Sequence, residues 1–330
     1  MKGRLTKGFR ASFLSLALVL LLPGLAGTRA RADMFVLPPP QVDLVGLEQN
    51  TVARFEDTMP DIARSYGLGY DEILAANPGA DPWLPGDGRA IVLPTRHILP
   101  DVKREDIVIN LSEHRLYYFP KVRDGQAPYV ITHPISIGQM DWNTPIGVTK
   151  IVDKRRKPIW YPPESIRKQH EAEGNPLPKA VPPGPDNPLG DYAMRLGIPG
   201  GAYLIHGTNR PVGVGMPITH GCIRMYPEDV ESLFRLVKVG TRVHIINQPV
   251  RTGWVEGVLY LEVNPPLPTD TSPTLTDLTR RLVDATRERD VRINWPLAER
   301  ALAEARGMPV AISLPPLSAD GAGSGATLRR

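Results

Sequence analysis

Two short segments are the most informative about the fold of this chain. They are Thr219–Met225, which reads THGCIRM, and the upstream segment Ile205–Asn209, which reads IHGTN. The first contains Cys222, the only cysteine among 330 residues, and the second contains His206, sixteen residues earlier. The thiolate is the reactive form of cysteine, and a nearby imidazole commonly generates it near neutral pH. A single thiol beside two histidines, His206 and His220, therefore points to a nucleophile.

The sequence around the two segments predicts how the thiol and the imidazole meet. Apolar residues at 202–205 predict a strand that ends at His206, and Gly221 predicts a tight turn before Cys222. The backbone amides of Gly221 and Cys222 could then point at one spot, as an oxyanion hole requires. Such a site has the nucleophile, base and charge stabilisation of acyl transfer.

Other interpretations of these residues stay open at this point. A lone cysteine is often a small buried hydrophobe. The set His206, His220 and Cys222 has ligand types for zinc, although the chain has no C-x-x-C or H-E-x-x-H. Arg224 could simply pair with an acid. The run Lys154–Lys157 predicts a solvated loop, with contact to an anionic substrate as the alternative. The remaining histidines are predicted to be surface or structural residues: His97, His114, His133, His170 and His244.

Residues 1–32 read as an export signal. A basic start is followed by the apolar run Ala11–Leu22, which is too short to span a bilayer, and by Ala30-Arg31-Ala32, which predicts cleavage after Ala32. The alternative is a retained membrane anchor. Cleavage predicts a periplasmic protein, in an oxidising compartment where an unpaired structural cysteine is unusual.

Charge and composition narrow the class of protein. The signal segment carries six basic and no acidic residues, so its removal changes the formal net charge from +4 to −2. The mature chain therefore has no basic excess for nucleic-acid binding. Proline accounts for 36 of 330 residues, which favours loops and strands over long helices.

The chain divides into five parts in sequence. After the signal, residues 33–50 are predicted as an extended leader and residues 51–95 as a small strand–helix–helix–strand module. Residues 107–247 form the predicted catalytic domain, in which nine prolines within 158–190 indicate a long excursion. Residues 248–330 are an extension with one strand, two helices and a disordered tail from 318.

The module resembles a LysM domain, through Phe55–Ala63, Ile73–Pro78 and Leu84–Gly86. The resemblance implies binding of the N-acetylglucosamine-containing glycan of peptidoglycan. A structural spacer is the alternative role.

The two segments of the site resemble the signature of the L,D-transpeptidases, the YkuD-type catalytic domain, in its periplasmic branch with a LysM-like module. Further similar stretches are Asn110–Tyr118, Thr144–Gly147 and Pro182–Gly190. The resemblance implies a mainly β fold, a β-sandwich catalytic domain with a short helix behind a βααβ module. It implies no cofactor and no metal, and we expect a monomer.

The resemblance also implies a reaction. Cysteine attacks the third residue of a peptidoglycan tetrapeptide stem, D-alanine leaves, and an amine takes the acyl group. The amine belongs to a lysine of an outer-membrane lipoprotein or to another stem, which gives a 3→3 cross-link. The implied roles are as follows: nucleophile Cys222, base His206, orienting and oxyanion residues Gly207, Thr208 and Gly221, and substrate-binding residues Thr219, His220 and Arg224. The alternatives are a carboxypeptidase or amidase that uses water and a non-catalytic wall-binding protein.

Overall fold

The computed structural model describes residues 33–39, 42–139 and 143–314. The predicted export signal and the predicted disordered tail lie outside these residues. Within them, none of the helices combines the length and the apolar character needed to cross a membrane.

The protein is mainly β. Its strands are β1 (Asp33–Val36), β2 (Leu44–Gly46), β3 (Gln49–Val52), β4 (Ala90–Leu93), β5 (Arg96–Ile98), β6 (Asp106–Asn110), β7 (Arg115–Phe119), β8 (Tyr129–Pro134), β9 (Ile137–Gly138), β10 (Gly147–Arg156), β11 (Tyr192–Leu196), β12 (Leu204–His206), β13 (Pro217–Thr219), β14 (Ile223–Arg224), β15 (Arg242–Ile246), β16 (Val250–Val255), β17 (Val258–Val263), β18 (Arg292–Ile293), β19 (Val310–Ala311) and β20 (Ser313–Leu314). The helices are α1 (Met59–Ser65), α2 (Tyr70–Ala76), α3 (Glu164–Ala172), α4 (Pro227–Leu236), α5 (Leu275–Thr286) and α6 (Trp295–Glu304).

A nine-stranded sheet in the order β1-β8-β7-β6-β15-β10-β11-β12-β14 organises the catalytic domain. The long strand β10 pairs with β15 through residues 147–150 and with β11 through residues 151–156. An irregularity between Ile151 and Asp153 separates the two pairings, and such bulges bend a strand. The two halves of the sheet therefore share β10 and enclose one core.

Alternation along the strands builds this core. Leu116 and Tyr118 of β7 face the core between the two halves, whereas Tyr117 and Phe119 face a second cluster on the opposite side. Ile205 of β12 and Ile223 of β14 belong to the same main core, and α4 covers it with Leu233. Because Ile205 and Ile223 point into this core, the residues next to them on β12 and β14 point away from the core.

The described part of residues 33–50, predicted as an extended leader, contains paired strands of the fold. Strand β1 lies at the edge of the nine-stranded sheet against β8, and β2 pairs with β5. Strands β3 and β4 then pair around α1 and α2, and the unit has its own apolar cluster. Thr58 caps α1 by accepting a hydrogen bond from the Asp61 amide.

The described part of the C-terminal extension, residues 248–314, is folded. Strands β16, β17 and β19 form a sheet, and α5 and α6 pack on it around an apolar cluster. Thr274 and Asp277 form a capping box at the start of α5.

The structure corrects two expectations for residues 154–190. The run Lys154–Lys157 is not a solvated loop, because its first three residues end strand β10. Lys154 Nζ donates to the Phe234 carbonyl at 2.6 Å, at the end of α4, where a cation is favoured by the helix dipole. The excursion, expected to be a loop, contains helix α3 in its proline-free part between Pro163 and Pro176.

Candidate active site

The predicted nucleophile and base lie on neighbouring strands. Strands β12 and β14 are parallel, with Ile205 opposite Ile223 and His206 opposite Arg224. Because side chains alternate and Ile205 and Ile223 point into the core, His206, Cys222 and Arg224 project from the other face. The structure thus brings the two predicted catalytic residues to one face of one strand pair.

His206 is buried, and its surroundings fix its tautomer. Its Nδ1 lies 2.6 Å from the Gly207 carbonyl oxygen, which only accepts, so Nδ1 carries the proton and Nε2 keeps its lone pair. Burial, with Arg224 nearby, lowers the pKa of His206 to about 3. The imidazole is therefore neutral at physiological pH and can accept a proton through Nε2.

Cys222 is partly exposed, and its sulfur lies 3.6 Å from the Ala202 carbonyl oxygen. Burial of the sulfur raises the pKa of the thiol, whereas the Leu204 amide and Arg224 act in the opposite direction. The resting site therefore has a neutral thiol and a neutral imidazole.

The turn before Cys222 requires glycine. Gly221 has φ +89°, and a methyl group there would lie 2.9 Å from a ring carbon of Tyr203. Thr219 Oγ1 donates to the Cys222 carbonyl at 2.6 Å, and Thr144 Oγ1 donates to the Gly221 carbonyl at 3.1 Å. Two side chains thus hold the backbone of the predicted oxyanion site.

The segment after His206 is equally close-packed. A methyl group at Gly207 would lie 3.1 Å from the Val230 side chain and 3.3 Å from the Leu189 carbonyl oxygen. Thr208 Oγ1 accepts a hydrogen bond from the Arg210 amide at 2.9 Å. Gly207 and Thr208 therefore position the backbone that carries His206.

A cavity of about 770 Å³ opens beside this pair of strands. Its floor includes Arg224, His220 and Thr208, and part of its wall comes from α3 and the segment around it. The lining residues are Trp160, Ile166, His170, Asn175, Leu177, Asp186, Pro188, Thr208, Asn209, Arg210, Val212, Gly213, Ile218, His220 and Arg224. The proline-rich excursion therefore forms one side of the cavity.

Arg224 faces the cavity as a cation. Burial and the neighbouring Arg210 lower its pKa, and no carboxylate in the described part of the chain forms an ion pair with it. Its Nε is buried without a hydrogen-bond partner. Burial also lowers the pKa of His220, with Arg224 and His170 contributing.

Several lining residues carry no signal in the sequence. His170, predicted to be surface or structural, lines the cavity from α3, together with Trp160 of the same excursion and Arg210. The sequence of the excursion does not indicate which of its side chains turn inward. Of the other histidines, His97 and His133 are buried structural residues. Across residues 33–39, 42–139 and 143–314, no three His, Cys, Asp or Glu side chains are grouped as metal ligands.

Comparison with known proteins assigns the chain to a protein family. A model of the YkuD-type L,D-transpeptidase catalytic domain matches residues 104–245. The chain is 38% identical over 294 residues to the probable L,D-transpeptidase YbiS of Escherichia coli K12, covering 86% of this chain and 93% of that protein. It is 42% identical over 242 residues to the probable L,D-transpeptidase YcfS of the same strain, covering 72% and 74%.

The chain belongs to the L,D-transpeptidase family, and it is a cysteine enzyme of that class. Among solved structures, L,D-transpeptidase 3 of Mycobacterium tuberculosis is 19% identical and aligns over 48% of this chain and 67% of its own, with a TM-score of 0.31.

Proposed function

We propose that this protein is a peptidoglycan L,D-transpeptidase that uses Cys222 as nucleophile and His206 as base. One observation carries the proposal: His206 at the end of β12 and Cys222 directly before β14 project from one face of this strand pair, and their neighbours Thr208, His220 and Arg224 line the cavity. The fixed tautomer of His206 leaves Nε2 as the acceptor that a thiol base requires.

The reaction follows from this arrangement. Cys222 Sγ attacks the carbonyl carbon of the third stem residue while its proton passes to His206 Nε2. The amides of Gly221 and Cys222 stabilise the oxyanion. The tetrahedral intermediate then expels D-alanine, whose nitrogen takes the proton from the imidazolium, and a thioester remains. An acceptor amine attacks the thioester, loses a proton to His206 and releases the thiol.

The cations of the cavity fit an anionic donor. A stem peptide carries carboxylates, and Arg224 and Arg210 both line the cavity without a carboxylate partner in the described chain. Charge-assisted bonds from a guanidinium to a carboxylate are among the strongest in proteins. We assign Arg224 and His220, which line the cavity, to donor binding. Thr219, expected to bind substrate, is buried and its hydroxyl donates to the Cys222 carbonyl, so we assign it to positioning that backbone.

Two acceptors fit the same chemistry. One is the lysine of an outer-membrane lipoprotein, and the other is the side-chain amine of a second stem, which gives a 3→3 cross-link. We place the reaction in the periplasm, where the predicted cleavage after Ala32 would deliver the enzyme, and we propose that it acts as a monomer.

Mass spectrometry of the products tests the proposal. Purified wild-type protein, incubated with a stem tetrapeptide, is expected to form a thioester adduct and release D-alanine. Added lysine peptide or second stem is expected to give a transfer product. Cys222→Ala should lose adduct and turnover, and His206→Ala should lose about 10²–10⁴ in rate. Hydrolysis without transfer would indicate a carboxypeptidase, and normal turnover by Cys222→Ala would reject the mechanism.

The βααβ unit is proposed to bind wall glycan as a LysM-like module. Phe55, between β3 and α1, and Trp83 and Leu84, between α2 and β4, are exposed apolar side chains, of the kind that mark binding surfaces. We expect Phe55→Ser/Trp83→Ser to reduce retention on purified sacculi while turnover of a soluble stem peptide is unchanged. Exposed Val239→Ser in the catalytic domain is the control. Equal retention would leave the unit without a glycan role.

A further inference from the structure

One wall of the cavity is the segment 211–218, which connects the His206 strand to the Cys222 turn. Val212, Gly213 and Ile218 of this segment line the cavity. A methyl group at Gly213 would lie 3.9 Å from an Arg224 guanidinium nitrogen. The position of this segment therefore sets the shape of the space in which a substrate meets Arg224.

The βααβ unit contacts this wall directly, at the corner between its two helices. The Tyr70 amide, the first of α2, donates to the Val214 carbonyl at 2.8 Å. The backbones of Gly69 and Gly215 lie against each other: a methyl group at Gly69 would be 2.8 Å from the Gly215 α-carbon, and one at Gly215 would be 2.3 Å from the Tyr70 nitrogen. Only glycines allow this approach.

The catalytic domain holds the same wall from its other side. His114 Nδ1 lies 2.8 Å from the Gly215 carbonyl oxygen and donates to it, and Ser136 Oγ donates to the Gly213 carbonyl at 2.7 Å. His114 has φ +53°, a conformation that non-glycine residues rarely adopt. The wall is thus clamped between the catalytic domain and the βααβ unit.

The corner of the βααβ unit is itself fixed to the catalytic domain. Arg115 of β7, fully buried, pairs with Glu72 at 2.6 Å. Arg64 of α1 pairs with Glu228 of α4 through two bonds of 2.8 Å. Tyr226 Oη donates to the Leu68 carbonyl at 3.0 Å. These contacts hold the βααβ unit in a fixed position against the catalytic domain.

We propose that the corner Gly67–Glu72 of the βααβ unit is a positioning element for substrate binding, which fixes the cavity wall 211–218 through Gly69 and Tyr70. The inference rests on the proposed function for its substrate. It gives the unit a second role, besides any glycan binding: the unit sets the affinity of the catalytic site for the stem peptide.

Two variants with one matched control test the inference. Gly69→Ala forces the corner and the wall apart without backbone strain, because the φ of Gly69 lies outside the left-handed region. Gly215→Ala adds strain at φ +97°. The control is Gly240→Ala, which has nearly the same φ, +92°, but nothing within 4 Å of the added methyl group. It therefore reproduces the strain without the contact.

We expect Gly69→Ala and Gly215→Ala to raise the KM for soluble stem tetrapeptide about tenfold or more. The rate at which iodoacetamide alkylates Cys222 should stay within about twofold of the wild-type rate, because neither substitution lies in strands β12 and β14. Hydrogen exchange of the amides at 214–218 should accelerate in both variants and not in Gly240→Ala.

The outcomes separate the two proposals. Failure of wild-type protein to turn over the stem would reject the proposed function, and the hydrogen-exchange comparison would still report on the wall. An unchanged KM and unchanged exchange in Gly69→Ala would overturn the positioning role. A KM increase of the same size in Gly240→Ala would also overturn it, since the cause would then be general strain.

Discussion

At the scale of single residues, burial favours the neutral form of both proposed reacting groups. Burial raises the pKa of Cys222 and lowers that of His206. The lone pair of His206 is directed by the bond from Nδ1 to the Gly207 carbonyl. A neutral thiol is oxidised less readily than a thiolate, which suits an enzyme predicted to work in an oxidising compartment.

The low pKa of His206 predicts a measurable effect on stability. The pKa of this residue is about 3 in the fold and 6.5 as the ordinary value, so below pH 6.5 the unfolded chain binds a proton that the folded chain does not. The free energy of unfolding should therefore fall with decreasing pH by about 1.4 kcal/mol per unit through this window, on account of His206 alone.

His206→Gln should remove that contribution, since glutamine does not titrate. Urea unfolding of the wild type and the variant between pH 6.5 and pH 4 gives the difference between the two slopes. The control is His244→Gln, because His244 is a partly exposed residue of strand β15. Parallel curves for wild type and His206→Gln would show that the imidazole titrates normally in the fold.

At the scale of elements, a buried side-chain amide joins the two ends of the proline-rich excursion, beside the backbone pair between Trp160 and Val181. Proline has no backbone N–H, so a proline-rich segment has more carbonyl acceptors than donors. Asn187 is fully buried, and its Nδ2 donates to the Pro158 carbonyl at 2.8 Å and lies 3.2 Å from that of Pro182. Its Oδ1 accepts from the Leu189 amide at 2.9 Å. One side chain thus joins the two ends of the excursion.

Asn187→Ala should lower stability and weaken substrate binding together. The variant leaves buried carbonyls without donors, which costs about 1–3 kcal/mol, and it releases the wall that carries Trp160 and His170. The checks are denaturant unfolding and the KM for stem peptide. Gln169→Ala, on the exposed face of α3, should change neither. A KM equal to that of the wild type would mean that the excursion holds its place without Asn187.

The elements also show what sequence alone can predict. Strand β12 ends at His206, and β3, α1, α2 and β4 follow the strand–helix–helix–strand order predicted for residues 51–95, because hydrophobic patterns and caps are local signals. The sequence does not indicate strand β10, since this strand is largely unburied along its length and ends in a basic run; its pairing with β15 and β11 fixes it. The motif around Cys222 predicts a nucleophile from local sequence, whereas the inward-facing residues of the excursion depend on tertiary packing.

At the scale of the whole molecule, buried charges join the C-terminal extension to the catalytic domain. Arg251 of β16 is fully buried and pairs with Glu113, in the turn before β7, at 2.7 Å and with Glu262 of β17. Glu262 also accepts from the Ile98 amide of β5 at 3.0 Å. Arg251 and Glu262 of the extension, Glu113 of the catalytic domain and the Ile98 amide of β5 thus form one buried network.

Arg251→Met should therefore destabilise the whole protein and not the extension alone. Removing the cation leaves two buried carboxylates facing each other, and breaking a buried pair in this way costs about 3–5 kcal/mol. We expect the loss in guanidinium unfolding, and we expect the hydrogen exchange of the amides of β16 and β17 and of the amides of β12 and β14 to accelerate together. Arg280→Met removes an exposed ion pair with Asp277 and should cost less than about 1 kcal/mol. If the amides of β16 and β17 exchange faster while those of β12 and β14 do not, the extension unfolds independently and the shared charges do not couple it to the active site.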